Sequence, residues 1–296
     1  MGSTAAPRIA VLGLGILGAV VARKAAQAGL RVTAWDRSPG HLAPLPSQHI
    51  EAAVTPRDAV RDADVVVTML YDADAVLAVM ADQGTCDAMK PGAVWLQMST
   101  IGVEGTNRAL ALAASRPDVA FVDAPVSGSK FAAESRQLVV FASGDRERTG
   151  TTVQPFLDTI AGEVHWLGAA GQGTRMGLLF NAWIGILIQD VAEVTALAEA
   201  LEIAPDRFLE LVANGALVPP WALAKFRRIA ENRTGEVEVP LRLAHKNVLL
   251  ALDAAGAQRP RLPALDLIAG RWAELIGDFG DADISALASV SRRRFP

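Results

Sequence analysis

Residues 8–18, Arg-Ile-Ala-Val-Leu-Gly-Leu-Gly-Ile-Leu-Gly, constrain this chain more than any other segment. An apolar, β-branched run leads directly into Gly13-Leu14-Gly15-Ile16-Leu17-Gly18, and an alanine-rich stretch of helical character follows. A G-x-G-x-x-G placed between strand and helix has a physical reading at each glycine. Gly13 permits the tight turn, Gly15 lets a pyrophosphate approach the backbone, and Gly18 lets the helix pack against the strand. The pattern therefore predicts a dinucleotide-binding unit. Its second strand, residues 32–36, ends at the expected distance in Trp35-Asp36-Arg37-Ser38. An acid there bonds ribose hydroxyls and favours NAD, whereas an arginine with a hydroxyl neighbour holds the 2′-phosphate of NADP. Arg37 and Ser38 are both present, so the reading favours NADP(H) over NAD(H). In the alternative, Asp36 does the binding and Arg37 is a solvated loop charge.

The first half continues in the same manner. Apolar runs at residues 8–14, 32–36, 64–70, 93–99 and 120–126 alternate with amphipathic or alanine-rich segments, as parallel strands alternate with crossover helices. Residues 137–143 and 163–167 extend the sheet. After Gly171-Gln172-Gly173 the β-branched runs thin out, and alanine and leucine recur at helical spacing between proline and glycine clusters. The expected architecture is an α/β Rossmann domain at 1–167 and a second, all-α helical domain at 168–296. One long interdomain helix over residues 174–201 joins them.

Composition removes other classes. The 296 residues, 51% hydrophobic and 20% charged, can build two cores and do not resemble a disordered chain or a disulfide scaffold. A net charge of −4 offers no field for a phosphate backbone, so no nucleic acid partner is expected. A single cysteine, Cys86, excludes an internal disulfide and a thiolate metal cluster, and no metal is expected. Residues 1–7 carry no basic segment leading into an apolar signal, which sets a cytoplasmic expectation. The longest apolar stretch, residues 176–188, is interrupted by Asn181 and is shorter than the roughly 20 residues of a spanning helix. It reads as a buried core helix, and no membrane partner is expected. No serine triad or triphosphate-binding loop is present to support hydrolase or kinase chemistry.

Further segments join the glycine motif. Asp123-Ala124-Pro125-Val126-Ser127-Gly128-Ser129 ends a strand in a loop of small and hydroxyl residues, suited to hydrogen-bonding an anionic or carbonyl substrate. Met69-Leu70 and Met98-Ser99-Thr100 end two strands, Gly171-x-Gly173 opens the helix carrying Asn181, and Lys246-Asn247 lies in a later helix. Together these segments resemble the β-hydroxyacid dehydrogenase superfamily over almost the whole chain. The likeness is to 3-hydroxyisobutyrate dehydrogenases and, most closely, to glyoxylate and succinic semialdehyde reductases, which share the Ser-Gly-Ser-Lys loop. The resemblance implies that Ser127, Gly128 and Ser129 form the substrate loop and that Met69, Leu70, Ser99 and Thr100 border the cofactor. It also implies that Asn181 and Lys246 belong to the site, and that the chain is a homodimer packed through its long helix.

The chain departs from that pattern at Ser135, where the family usually has glycine, and more consequentially at Gly177, where it has the lysine that protonates the carbonyl oxygen. A positioned proton donor contributes on the order of a hundred- to ten-thousand-fold. Of the five lysines, Lys246 and Lys130 match positions bordering the family's site and could replace it. A protonated imine needs no proton transfer to oxygen, and the related imine reductases carry varied residues at this position. The expected activity is NAD(P)H-dependent hydride transfer to a small carbonyl or imine. Lys246, Asn181 and Ser127 are the catalytic candidates, and the loop 127–129 with Gly177 and Trp221 forms the substrate pocket.

Two alternatives stand beside this reading. A dedicated imine reductase for a cyclic or apolar substrate is favoured by Gly177, which frees space, and by the tryptophans. A cofactor-binding protein that has lost catalysis would bind without turnover. Individual residues also have plainer readings: Lys246 as a solvated helix charge, Arg175 as a surface salt bridge rather than an anion clamp, and Trp183 as core packing. Trp221 follows Pro219-Pro220 and reads as a loop residue. His165 and His245 are weaker proton-donor candidates, because His245 on a helix points about a hundred degrees from Lys246.

Overall fold

The computed structural model describes residues 6–43, 45, 49–213, 218–231 and 236–288. Two compact units emerge, Met1–Leu178 and Leu179–Pro296.

The described residues of the first unit form nine strands: β1 (Arg8–Leu12), β2 (Arg31–Trp35), β3 (Ile50–Ala52), β4 (Val65–Thr68), β5 (Val94–Gln97), β6 (Ala120–Asp123), β7 (Val126–Ser127), β8 (Leu138–Gly144) and β9 (Ala161–Trp166). They form one sheet in the order β3-β2-β1-β4-β5-β6-β8-β7, with β9 beside β8. The first six strands on this path are parallel. β8 runs antiparallel to β6 and β7 and parallel to β9. The crossing from β1 to β4 reverses the strand order, which makes the carboxyl ends of these strands the crevice where such sheets bind ligands.

The helices of this unit are α1 (Ile16–Gln27), α2 (Pro56–Val60), α3 (Ala73–Leu77), α4 (Thr85–Ala88), α5 (Gly102–Ala114), α6 (Lys130–Glu134) and α7 (Arg146–Leu157). They cover both faces. Ile9, Val11, Val65, Val67, Val94 and Leu96 pack under α1 and α7, while Ala10, Leu12, Val66 and Trp95 pack under α2, α3 and α5. Burial on both sides explains why β4 reads Val-Val-Val-Thr rather than alternating with polar residues. β3 was not among the expected strands. Its Ile-Glu-Ala is too short and too exposed to leave an apolar run.

The helix α8 runs Gln172–Ala200, starting two residues before the expected position, directly after Gly171 with its φ of +94°. Then follow α9 (Pro205–Val212), α10 (Pro220–Ala230), α11 (Leu241–Ala255) and α12 (Pro263–Phe279), so the described residues of the second unit contain no named strand. Their core joins Ile188, Val191 and Ala192 to Phe226, Leu252 and Trp272.

By length and composition alone α8 passes for a membrane span, a test that core helices also pass. Three expectations need correction. α8 is not a fully buried core helix, because Leu179, Trp183 and Leu197 are more than half exposed. The core-packing reading of Trp183 thus fails at 54% exposure. Trp221 lies in the first turn of α10, since Pro220 supplies a preset φ to start a helix rather than to end one.

Candidate functional site

The glycine turn has the geometry that phosphate binding requires. Gly13 takes φ +100° and donates its N–H to the Trp35 carbonyl at 2.9 Å. A methyl group there would sit 2.8 Å from Leu70 Cδ2, and one at Gly18 would collide with the Gly13 carbonyl. At Gly15 a methyl would meet nothing within 4 Å. Gly15 is the N-cap of α1, makes no side-chain cap, and precedes a first turn without acidic residues. Open space at the positive end of a helix with uncapped amides is what a pyrophosphate needs, so the residues present fit the dinucleotide.

Asp36 closes this turn. One carboxylate oxygen accepts from the Leu14 N–H at 2.7 Å, and the other accepts from the Ser38 N–H at 2.8 Å and lies 3.1 Å from His41 Nδ1. Both oxygens are thus engaged within the loop, while Arg37 and Ser38 are exposed. Sequence reasoning passed over His41, whose only signal was its place three residues beyond Ser38.

At the ends of β4 and β5, Met69 donates to the Leu12 carbonyl and Leu70 donates to Ser99 Oγ at 2.9 Å. The Ser99 hydroxyl in turn donates to the Thr68 carbonyl, and Gln97 brackets Ser99 through both its backbone groups. Ser99 is only 5% exposed. Its hydroxyl therefore fastens Leu70 in place, while Thr100 beside it is half-buried.

The substrate loop leaves β6 at Asp123. Ser127 pairs in β7 with Val139, Gly128 takes φ +140° against Leu138, and Ser129 caps α6 by accepting from the Ala132 N–H. Lys130 is exposed as the first residue of α6. Beneath the loop lies a polar cluster that sequence reasoning missed. Asp123, fully buried, accepts from the Thr174 N–H at 2.7 Å and the Thr174 hydroxyl at 2.8 Å. Ser143 Oγ lies 3.2 Å from the same carboxylate and accepts from the Gly173 N–H, and Thr106 touches Thr174 at 2.8 Å. Here the Asp123 carboxylate and the Ser143 hydroxyl it receives satisfy the Thr174 and Gly173 amides in the first turn of α8. Gly173 has no room for a side chain, because a methyl there would collide with the Phe141 carbonyl.

Burial pushes the Asp123 carboxyl above its ordinary range, and the hydrogen bonds from Thr174, Ser143 and Gly171 only partly pull it back. Asp123→Ala strands these buried donors at about 1–3 kcal/mol each, so urea denaturation should show a loss of about 3 kcal/mol. Because the folded pKa is raised, the contribution tied to it is complete below about pH 4 and fades as pH rises through the raised value. Asp123→Asn should remove that slope. Parent-like stability of Asp123→Ala would mean that the carboxylate does not anchor the helix.

Gly177 faces the same loop. A Cβ there would lie 3.2 Å from Pro125 Cγ and 3.3 Å from its Cβ. A side chain at this position would therefore have to fit against Pro125. Arg175 donates to the Gly171 carbonyl at 3.0 Å and forms no salt bridge among the described residues.

In the second unit Asn181 Oδ1 accepts from Asn247 Nδ2 at 3.0 Å. Asn247 is 9% exposed, and its own buried Oδ1 accepts nothing among the described residues. Lys246 beside it is half-buried on α11. His245 Nε2 lies 3.1 Å from the Ala269 carbonyl, and burial lowers its pKa. His165 is exposed on β9 and paired with Glu163 at 2.9 Å. Trp221 stands 5.9 Å from the Lys225 ammonium.

Comparison with known proteins converges on one family. Residues 8–168 match the family model for the NAD binding domain of 6-phosphogluconate dehydrogenase. Residues 171–291 match that for the NAD-binding region of NADP-dependent 3-hydroxyisobutyrate dehydrogenase. Glyoxylate/succinic semialdehyde reductase 1 of Arabidopsis thaliana is 28% identical over 283 residues, spanning 94% of this chain and 96% of that protein. The structure of Mycobacterium tuberculosis 3-hydroxyisobutyrate dehydrogenase with L-serine aligns at TM-score 0.84 and 28% identity, covering 97% of this chain and 99% of that one. A reductive aminase from Aspergillus terreus, in complex with NADPH and ethyl levulinate, shares the fold at TM-score 0.61 and 22% identity, covering 97% of this chain and 100% of that one. With an amino-terminal Rossmann unit, a helical carboxyl-terminal unit and matches over both, the chain belongs to the β-hydroxyacid dehydrogenase superfamily of NAD(P)-dependent oxidoreductases.

Proposed function

We propose that this chain is an NADPH-preferring reductase of a small aldehyde or keto acid, acting in the cytoplasm as a homodimer. In this reading residues 1–167 hold the cofactor, and residues 168–296 supply substrate and dimer contacts. The observation that carries it is the sharing of Asp123: one buried carboxylate ends the strand leading to the Ser127-Gly128-Ser129 loop and holds the first turn of the helix bearing Gly177 and Asn181. Gly13, Leu14, Gly15, Ile16, Leu17 and Gly18 cradle the pyrophosphate. Arg37 and Ser38, with Asp36 committed to the loop, receive the 2′-phosphate, and Met69, Leu70, Ser99 and Thr100 border the nicotinamide. When bound, the reduced nicotinamide supplies the hydride. Ser127, Gly128 and Ser129 orient the carbonyl, and Asn181 with Lys246 serves the alkoxide end, Lys246 being the proton donor in place of the absent lysine. The exposed Leu179, Trp183 and Leu197 on α8 support the dimer.

A second reading, hydride transfer to an imine with Trp221 lining the pocket, is favoured by Gly177 and by the vacant acceptor on Asn247, which suits a protonated imine N–H. Initial rates of NADPH and NADH oxidation with glyoxylate and succinic semialdehyde, against a substituted dihydroisoquinoline, separate the two. Turnover of the aldehydes is the expected result, with Lys246→Met lowering kcat by about a hundredfold or more. Turnover of the imine alone overturns the carbonyl reading, and cofactor binding without any turnover identifies a protein that has lost catalysis. Gly177→Lys tests the same point from the other side. It should raise aldehyde kcat by about tenfold, provided that Pro125 yields a few tenths of an ångström.

A further inference from the structure

The amino edge of the sheet, opposite the crevice, carries three features that folding alone does not explain. β1 and β2 both open on arginine, and their register sets Arg8 directly beside Arg31. Side chains so paired leave backbones about 4.8 Å apart, where like charges destabilise a sheet. Arg8 offsets this only through Asp62, at 3.8 Å and with both side chains half exposed or more. Arg31, His49 and Glu51 make no side-chain hydrogen bond or ion pair among the described residues. The pairing of Val32 with Ile50 places His49 next to Arg31, and His49 takes φ +65°, a left-handed conformation strained for any residue but glycine.

These residues line one cleft of about 480 Å³, a volume that suits a small molecule. Alternation along β2 puts Arg31 and Thr33 on the side where Trp35 packs toward α2. Glu51 is in register with Thr33 and shares that side, and Asp62, just past α2, completes the wall. The charges of the wall are divided, Arg8 and Arg31 against Glu51 and Asp62. Two arginines matched by two carboxylates leave no net field to gather a polyanion. A molecule with a carboxylate at one end and an ammonium at the other meets opposite charge at both. Guanidinium forks pair with carboxylates through two hydrogen bonds, and carboxylates accept from an ammonium. The five residues of β1, at about 3.3 Å each, hold this cleft about 17 Å from the glycine turn.

We propose that the cleft at the amino edge of the sheet is a second, non-catalytic binding site for a small zwitterionic amino acid, its carboxylate on Arg8 and Arg31 and its ammonium on Glu51 and Asp62.

Glycine, β-alanine and γ-aminobutyrate differ in the distance between their charged ends, and calorimetric titration of each into the full chain, up to about 50 mM, reads binding without turnover. Acetate and methylammonium serve as the two half-ligands. At least one amino acid should bind about tenfold tighter than either half-ligand. Arg31→Met and Glu51→Gln should each weaken it about tenfold while melting within about 2 °C of the parent, because both side chains are exposed and unpaired. NADP+ affinity should stay parent-like in both variants, which separates this cleft from the cofactor crevice. Absence of binding by all three amino acids overturns the site. Binding that is unchanged in Arg31→Met overturns it too, since the amino acid then sits elsewhere. Acetate binding as tightly as the amino acids, with no effect of Glu51→Gln, overturns the zwitterion and leaves a plain anion site.

Discussion

Gly15→Ala should melt within about 2 °C of the parent yet bind NADP(H) about a hundredfold more weakly, a loss near 2.7 kcal/mol. The folded state has no objection to the methyl, which meets no atom within 4 Å. Nor does the backbone, whose φ of −62° at Gly15 is open to alanine. The unfolded chain loses some freedom, worth about 0.4–1 kcal/mol in favour of folding. What the methyl occupies is the face that a pyrophosphate must approach to reach the amides of α1. Gly18→Ala provides the contrast. Its methyl collides with the Gly13 carbonyl, so the strand, turn and helix must separate at a cost of about 1–3 kcal/mol, and melting temperature and cofactor affinity fall together. Thermal melts paired with calorimetric titration distinguish the two patterns. Parent-like affinity in Gly15→Ala would mean that the phosphates do not lie against this turn.

That contrast also shows what a sequence can and cannot disclose. The glycine motif was legible because each glycine has a backbone reason, and its spacing repeats those reasons along the chain. The strands were legible because burial on both faces leaves unbroken apolar runs such as Val65-Val66-Val67. β3 was not, because its edge position buries too little to demand such a run. The Asp123 cluster was invisible for a different reason. Asp123, Ser143 and Thr174 lie 20 and 51 positions from one another's partners, and only the fold brings them together. Asp123 could have been suspected from its place at the end of a buried strand, where an acid must find donors. The surroundings of Gly177 were not legible either. Nothing in the sequence says that Pro125 stands 3.2 Å from where its Cβ would be. Trp221 was misplaced because Pro219-Pro220 reads equally well as a loop and as the first turn of a helix.

Lys225→Ala should be the most damaging single change in the second unit, costing about 3–5 kcal/mol and about 10 °C of melting temperature. Lys225 is 2% exposed on α10, and its ammonium lies 2.8 Å from Glu238 Oε2 and 3.5 Å from Asp283 Oδ1. Arg228, one turn further along, reaches Glu238 at 2.9 Å and the Glu236 carbonyl at 2.6 Å. Asp283 also accepts from the amides of Glu238, Val239 and Ser285, and so joins the segment before α11 to the 3₁₀ turn Ile284–Ala286. Removing the lysine leaves Asp283, 1% exposed, without its nearest cation, and an uncompensated buried charge costs far more than the pair gains. The pH dependence follows from the same contact. Burial pushes the Asp283 carboxyl up, but Lys225, the Ser285 hydroxyl and the backbone amides outweigh it, leaving the carboxyl below its ordinary value. A depressed carboxyl contributes stability that is complete above about pH 4 and is lost as pH falls through its folded pKa. The deficit of Lys225→Ala should therefore be full at neutral pH and shrink toward acid, where a protonated Asp283 no longer needs the lysine. Urea denaturation of parent and variant at about pH 7 and pH 4 reads this directly. A deficit independent of pH would mean that Lys225 acts through its packed methylenes against Trp221 and not through its charge.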